Sequence, residues 1–207
     1  MNFDRLAPFY QAMERLAAGG RLQRCRVAFL GAIPPPRRVL ILGEGRGNFL
    51  AELRKRFPEA SVVVVDASAR MLEHAKRRAG ETSAEFIHTD VLSWTPESGG
   101  FDLIVTHFFL DCLTADELDV LIPRLADWAS PEAHWLLADF EIAPRGLARW
   151  RSRWIVALLY RFFRITCGLK ADSLVAPDPK LASAGFRLAG RMTSEWGLLK
   201  SECWRRP

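Results

Sequence analysis

Three glycines at alternate positions, Gly43, Gly45 and Gly47, follow the apolar run VLIL (39–42) and lead into helix-forming sequence. A strand that turns onto a helix over bare backbone can present peptide N–H groups to a ligand, with no Cβ in the way and the positive end of the helix dipole behind them. Recognition of a nucleotide-like molecule is the chemistry this suits; a purely structural turn is the competing reading. A dinucleotide-binding turn reads G-x-G-x-x-G, whereas Asn48 stands where its third glycine belongs. A phosphate-cradling P-loop is excluded, because no Lys-Ser or Lys-Thr follows and the loop has no lysine.

The next strand-like run ends in an acid. SVVVVD (61–66) is continuous and β-branched, as strands buried on both faces are. Asp66 lies 23 residues past Gly43, the offset at which a strand-end carboxylate accepts both hydroxyls of a ribose. It could instead cap a helix starting near Ser68, a role that suits Ser68 itself better.

Taken together, GEGRG, the acid in VVVVDASARML, the later acid in FIHTDVLSW and the strand FDLIVTHFFLDCLT resemble the S-adenosylmethionine-dependent class I methyltransferases, best over 39–140. Within that class the chain looks most like the small-molecule group that includes ubiquinone and menaquinone C-methyltransferases. The resemblance implies an α/β Rossmann-like sheet, mostly parallel and seven-stranded with its last strand antiparallel, helices on both faces and an N-terminal helical cover. It implies S-adenosylmethionine as cofactor and S-adenosylhomocysteine as product. It sets the methionine part against Gly43, Gly45 and Gly47, the ribose on Asp66 and the adenine amino group on Asp90. Ala67 and Met71 pack near the adenine, Val91 closes its edge, and carbonyls around Thr106 and His107 receive the ammonium. Many relatives carry an acid two residues before the first glycine, where this chain has Ile41; Glu44, inside the loop, is the expected substitute for that charge.

These residues need a frame. Helices are expected near 8–17 and 20–31, strands near 38–42, 61–65, 84–88, 101–107 and 134–140, and a closing strand pair near 185–192 and 195–204. Helices connect the first five strands. Thr114 and Glu117 form a capping box ahead of Leu118, Leu121, Ile122 and Leu125, and Pro123 should kink or restart that helix. Alternation of this kind argues for a parallel sheet covered on both faces, with ligands beyond the carboxyl ends of its strands. Gly43, Asp66, Asp90, His107 and Asp139 all sit at or just past such ends.

The 207 residues, 49% apolar and 26% charged, suit one domain: a helical cover at 1–33, a cofactor-binding core at 38–140, a substrate-side element at 141–183 and a closing pair at 184–205. The four cysteines form no CxxC pair, which favours thiols in a reducing compartment, and the histidines show no metal-ligand spacing, so no metal is expected. The N-terminus lacks a signal-peptide pattern, and Arg161 and Arg164 interrupt the most apolar window, so a cytoplasmic location is expected.

Methyl transfer from a sulfonium is an in-line displacement governed by positioning and desolvation. An acceptor bearing a proton also needs a base: His107, Asp111, Asp139 and Glu141 are the candidates, with Asp111 preferred because it lies among apolar residues that could raise its pKa. Its competing role is to order the loop before Thr114. Phe108, Phe109, Trp150, Trp154, Tyr160 and Phe163 argue for a small apolar or aromatic acceptor. Between 146 and 165, about 100° per residue gathers Leu147, Trp154, Leu158, Phe162 and Ile165 within roughly 80°, with Arg149, Arg153 and Arg164 on the other side. An amphipathic helix with a solvated basic face accounts for that; contact with an anionic membrane is the functional alternative. A net charge of +5 keeps an RNA methyltransferase in view. Against it, no RNA-binding module is present, the strand-four end reads FFLDC rather than N-P-P-[YF], and Cys112 lacks a preceding proline. A non-catalytic cofactor sensor and a nicotinamide-dependent enzyme complete the alternatives.

Overall fold

Strand-like runs become a single seven-stranded sheet in the computed structural model, which describes residues 20–207. Its strands are β1 (Arg38–Leu42), β2 (Ser61–Asp66), β3 (Glu85–His88), β4 (Phe101–His107), β5 (Ala129–Phe140), β6 (Arg187–Ser194) and β7 (Leu199–Arg205), in the order β3-β2-β1-β4-β5-β7-β6. The first five pair in parallel, and β7 runs antiparallel between β5 and β6. This is the expected sheet, with the strand order reversing beside β1, so that a crevice opens beyond the ends of β1 and β4.

Helices α1 (Arg21–Val27), α2 (Asn48–Arg56), α3 (Ala69–Ala79), α4 (Ala115–Trp128), α5 (Gly146–Cys167) and α6 (Asp178–Ser183) follow the same chain order. Alternation along β1 and β2 decides which side each residue serves. Leu40, Leu42, Val63 and Val65 pack with Ile104, Trp135 and the apolar face of α4, while Val39, Ile41, Val62 and Val64 pack with Phe49, Leu50 and Leu53 of α2. Each such side chain contributes roughly 1.5–3 kcal/mol by leaving water.

Several boundaries differ from the sequence-based expectation. The helix expected over 20–31 ends at Val27, and the chain continues in turns toward Gly31 and the prolines 34–36, which cannot extend it. The helix expected near 8–17 lies outside the described residues. Thr114 and Glu117 do form the capping box: Thr114 Oγ1 accepts from Glu117 N at 3.2 Å, and Glu117 Oε2 accepts from Thr114 N at 2.9 Å. Pro123 does not restart the helix, which runs unbroken to Trp128; the proline sits on its exposed side, where water can satisfy the carbonyl it displaces. β5 begins at Ala129 rather than near 134, and a register shift against Phe101 and Leu103 absorbs the extra residues around Pro131. β7 begins four residues late because Glu195, Trp196 and Gly197 turn with positive φ.

Candidate active site

The glycine loop does three different jobs. At Gly43, with φ +64°, an added Cβ would lie 2.6 Å from Cδ2 of Phe109, so this glycine is needed for the phenyl ring that rests on it. Gly47 serves packing: its Cβ would fall 2.7 Å from the Ala75 Cα of α3. Gly45 alone faces open space, with φ +67° and no atom within 4 Å of a built Cβ. Its N–H donates to Asp66 Oδ2 at 3.3 Å, while Asp66 Oδ1 accepts from Ser68 N at 2.9 Å. Asp66 therefore ties the loop to the end of β2. Ser68 caps α3, its Oγ accepting from Met71 N at 3.2 Å.

Above these strand ends lies a cavity of about 380 Å³, within the roughly 300–1,000 Å³ typical of small-molecule sites. Gly43, Gly45, Asp66, Ala67, Met71, Asp90 and Val91 line one end of it. Asp90 is exposed there, and its Oδ1 accepts from Leu92 N at 3.0 Å. His88 and Thr89 join this wall; their place at the end of β3 was the only sequence signal for them. The bare loop, the exposed carboxylate of Asp90 and the apolar Ala67, Met71 and Val91 suit an adenosyl group of the size and polarity the resemblance implies.

Four expected site residues do not line the cavity: Glu44, Gly47, Thr106 and His107. Glu44 is buried, and its Oε1 accepts from the N–H groups of Phe49 and Leu50, both at 3.0 Å, so its charge meets the start of α2 rather than a ligand. Burial pushes this carboxyl up to about 7, although Leu50 N, Arg26 and Phe49 N pull it down. Thr106 spends its hydroxyl accepting from Trp135 Nε1 at 2.8 Å. The His107 ring is buried edge-on against Phe49, with centroids 4.6 Å apart, and burial and then Arg26 hold it well below the usual histidine range. Walled off, and made a weaker base by its burial, that ring is poorly placed to take a proton from an acceptor.

Beyond the glycine loop and Phe109, the cavity wall is formed by Phe108, Leu113, Phe140, Phe163 and Leu169 together with Asp111, Cys112, Cys167 and the ion-paired Glu117 and Lys170, whose Oε1 and Nζ are 3.7 Å apart. Phe108 sits at φ +54°, unusual for a bulky residue, which turns the chain sharply at the end of β4. Asp111 is buried and raised to about 6, first by burial, against hydrogen bonds to Asp139 and Cys112 that lower it. Asp139, buried beside it, is raised well above the usual range by burial and by the Asp111 charge. Burial disfavours the charged form of both carboxyls, and the upward push is the stronger at Asp139. Tyr160 donates to the Asp111 carbonyl at 2.6 Å and positions the loop. Glu141 is not part of the cavity wall.

Helix α5 reverses the expected orientation. Ser152, Val156, Tyr160 and Cys167 are its buried residues, whereas Leu147, Trp154, Leu158 and Ile165 face outward. Trp150 and Trp154, 65% and 63% exposed, therefore do not line the cavity; Phe163 and Cys167 do. A helix with apolar residues on two sides cannot reveal from periodicity which side meets the core.

The sheet order and the cavity at its strand ends define a class I methyltransferase fold, Rossmann-like with one antiparallel strand. Residues 39–132 match the family model described as a methyltransferase domain. The chain is 35% identical over 130 residues to the trans-aconitate 2-methyltransferase of Streptomyces coelicolor, covering 58% of this chain and 43% of that one. It is 34% identical over 110 residues to the demethylmenaquinone methyltransferase of Thermus thermophilus, covering 51% and 50%. The chain thus spans half or less of the length of these curated relatives. Among solved structures, magnesium protoporphyrin IX methyltransferase from Synechocystis with bound S-adenosylhomocysteine superposes with a TM-score of 0.65 at 20% identity, over 99% of this chain and 96% of the other.

Proposed function

We propose that the protein transfers a methyl group from S-adenosylmethionine to a small apolar or aromatic molecule in the cytoplasm, with 38–140 holding the cofactor and 141–183 forming the acceptor side. One observation carries this reading. A single cavity is lined by Gly43, Gly45, Asp66 and Asp90 and also by Asp111, Phe108, Phe109, Phe140 and Phe163. When bound, S-adenosylmethionine supplies an electrophilic methyl carbon, whose bond to sulfur breaks as the acceptor's lone pair bonds to it, leaving S-adenosylhomocysteine.

The chain's own contribution is placement and dryness. Asp66 and Asp90 accept the ribose hydroxyls and the adenine amino group, with Ala67, Met71 and Val91 around the ring. Phe108, Phe109, Phe140 and Phe163 exclude water and hold an apolar acceptor against the reacting carbon. Asp111, raised to about 6 and so ionised at neutral pH, takes the proton that the acceptor loses. Calorimetry with S-adenosylhomocysteine tests the cofactor end: tight binding, with none of NADH, is expected, and absence of binding refutes the reading. Incubation with methyl-labelled cofactor and cell extract tests the acceptor end, with label expected in small molecules; label in RNA refutes it.

A further inference from the structure

Helix α5 carries apolar side chains on two opposite faces, and the fold uses one of them. Val156, Tyr160 and Cys167 are buried in a cluster with Leu169 and Leu198. On the other side, Leu147, Trp150, Trp154, Leu158 and Ile165 are 84%, 65%, 63%, 69% and 75% exposed. At about 100° per residue these five fall in an arc of roughly 80°. A contiguous apolar stripe of this kind marks an interaction surface.

Its surroundings identify the partner. Arg149, Arg153, Arg161 and Arg164 are exposed on the same helix, and residues 146–167 contain no acid. Arg153, Arg161 and Arg164 line an open groove of about 630 Å³ with Ile142, Ile165 and Leu174, in which Asp172 is the only carboxylate among the described residues. A second groove, of about 470 Å³, lies among Arg149, Arg153, Trp150 and Trp154. Indole rings favour the boundary between headgroups and acyl chains, and arginines lay their stems on apolar surface while reaching phosphate. No described helix is long and apolar enough to cross a bilayer, so the geometry is that of a helix lying on one.

We infer that the outer face of α5 docks on an anionic lipid bilayer, and that the methyl acceptor is a lipid-soluble molecule drawn from it. The second clause rests on the proposed function. It is carried by continuity: the helix that presents Trp150 and Trp154 outward also contributes Phe163 and Cys167 to the cavity wall. RNA would meet the arginines but gain nothing from Leu147, Leu158 and Ile165. A second copy of the chain would set arginine against arginine.

The test uses the full chain with vesicles of phosphatidylcholine, with and without phosphatidylglycerol, read by co-sedimentation and tryptophan emission. Binding is expected to the anionic vesicles only, with a blue shift, and is expected to weaken as salt rises. Arg161→Ala with Arg164→Ala should weaken it about twenty-fivefold, near fivefold for each charge. Trp150→Ala with Trp154→Ala should weaken it at least about tenfold. Both double variants should keep the parent's Tm and its affinity for S-adenosylhomocysteine, since these side chains are exposed and do not line the cofactor cavity. Absence of vesicle binding with cofactor binding intact overturns the docking surface, as does capture of transfer RNA in its place or self-association abolished by the tryptophan substitutions. Vesicle binding without S-adenosylhomocysteine binding leaves the docking surface standing and refutes the proposed function. Label from methyl-labelled cofactor should enter the lipid fraction of an extract; label confined to the water-soluble fraction overturns the lipid-soluble acceptor.

Discussion

Replacing Glu44 by glutamine should make the protein more stable at neutral and alkaline pH while leaving it nearly unchanged in acid. Its carboxyl is buried at the start of α2, where Oε1 accepts from two backbone N–H groups. Burial nevertheless outweighs those bonds and raises the group from 4.5 to about 7. A raised carboxyl favours the folded state below its unfolded pKa, and that advantage is lost as pH rises through the folded value. At 1.36 kcal/mol per pH unit, the rise corresponds to roughly 3 kcal/mol. Glutamine keeps the accepting oxygen and cannot ionise. The stability of Glu44→Gln relative to the parent should therefore climb by about 3 kcal/mol between about pH 4.5 and about pH 8. Urea denaturation of both proteins across that range measures it directly. Parallel stability curves would show that Glu44 does not titrate as a buried group and that desolvation does not dominate at this position.

Gly43→Ala sets a Cβ 2.6 Å from the Phe109 ring at a positive φ, so a cost of about 1–3 kcal/mol and at least tenfold weaker S-adenosylhomocysteine binding are expected by thermal melt and calorimetry. Asp111→Asn should lower kcat by roughly a hundredfold or more with little change in KM for an acceptor that loses a proton, and the parent's kcat should rise with pH through about 6 as that carboxyl ionises. Tyr160→Phe removes the hydroxyl that donates to the Asp111 carbonyl, a loss of about 1 kcal/mol in denaturant unfolding. Phe163→Ala should raise the acceptor's KM while leaving S-adenosylhomocysteine affinity within about twofold, because it opens only the far end of the cavity.

What could be read from the chain depended on whether a local pattern has one physical solution. The β-branched run before Asp66 and the capping box at Thr114 each have one, and both stand where expected. The glycine loop was legible as a turn, yet the separate tasks of Gly43, Gly45 and Gly47 depend on Phe109 and Ala75, which lie far along the sequence. Glu44 shows the same limit. Its place inside the loop suggested a ligand contact, while the unsatisfied N–H groups of Phe49 and Leu50 at the start of the next helix provide a nearer partner. The start of β5 was hidden by Pro131, and the turn at Glu195 and Trp196 by residues that rarely adopt positive φ. For α5, two apolar arcs made the inward face undecidable until the cluster around Tyr160 and Leu198 fixed it.

The bond from Tyr160 to the Asp111 carbonyl ties the longest described helix to the segment that bears Phe109 and Asp111. Cys112, Phe140 and Phe163 are packed into the same apolar cluster as Val156 and Tyr160. Outer helix and inner bay are thus coupled as a lever is to its pivot: a tilt imposed on α5 from outside is transmitted to the carboxylate and the rings that would face an acceptor.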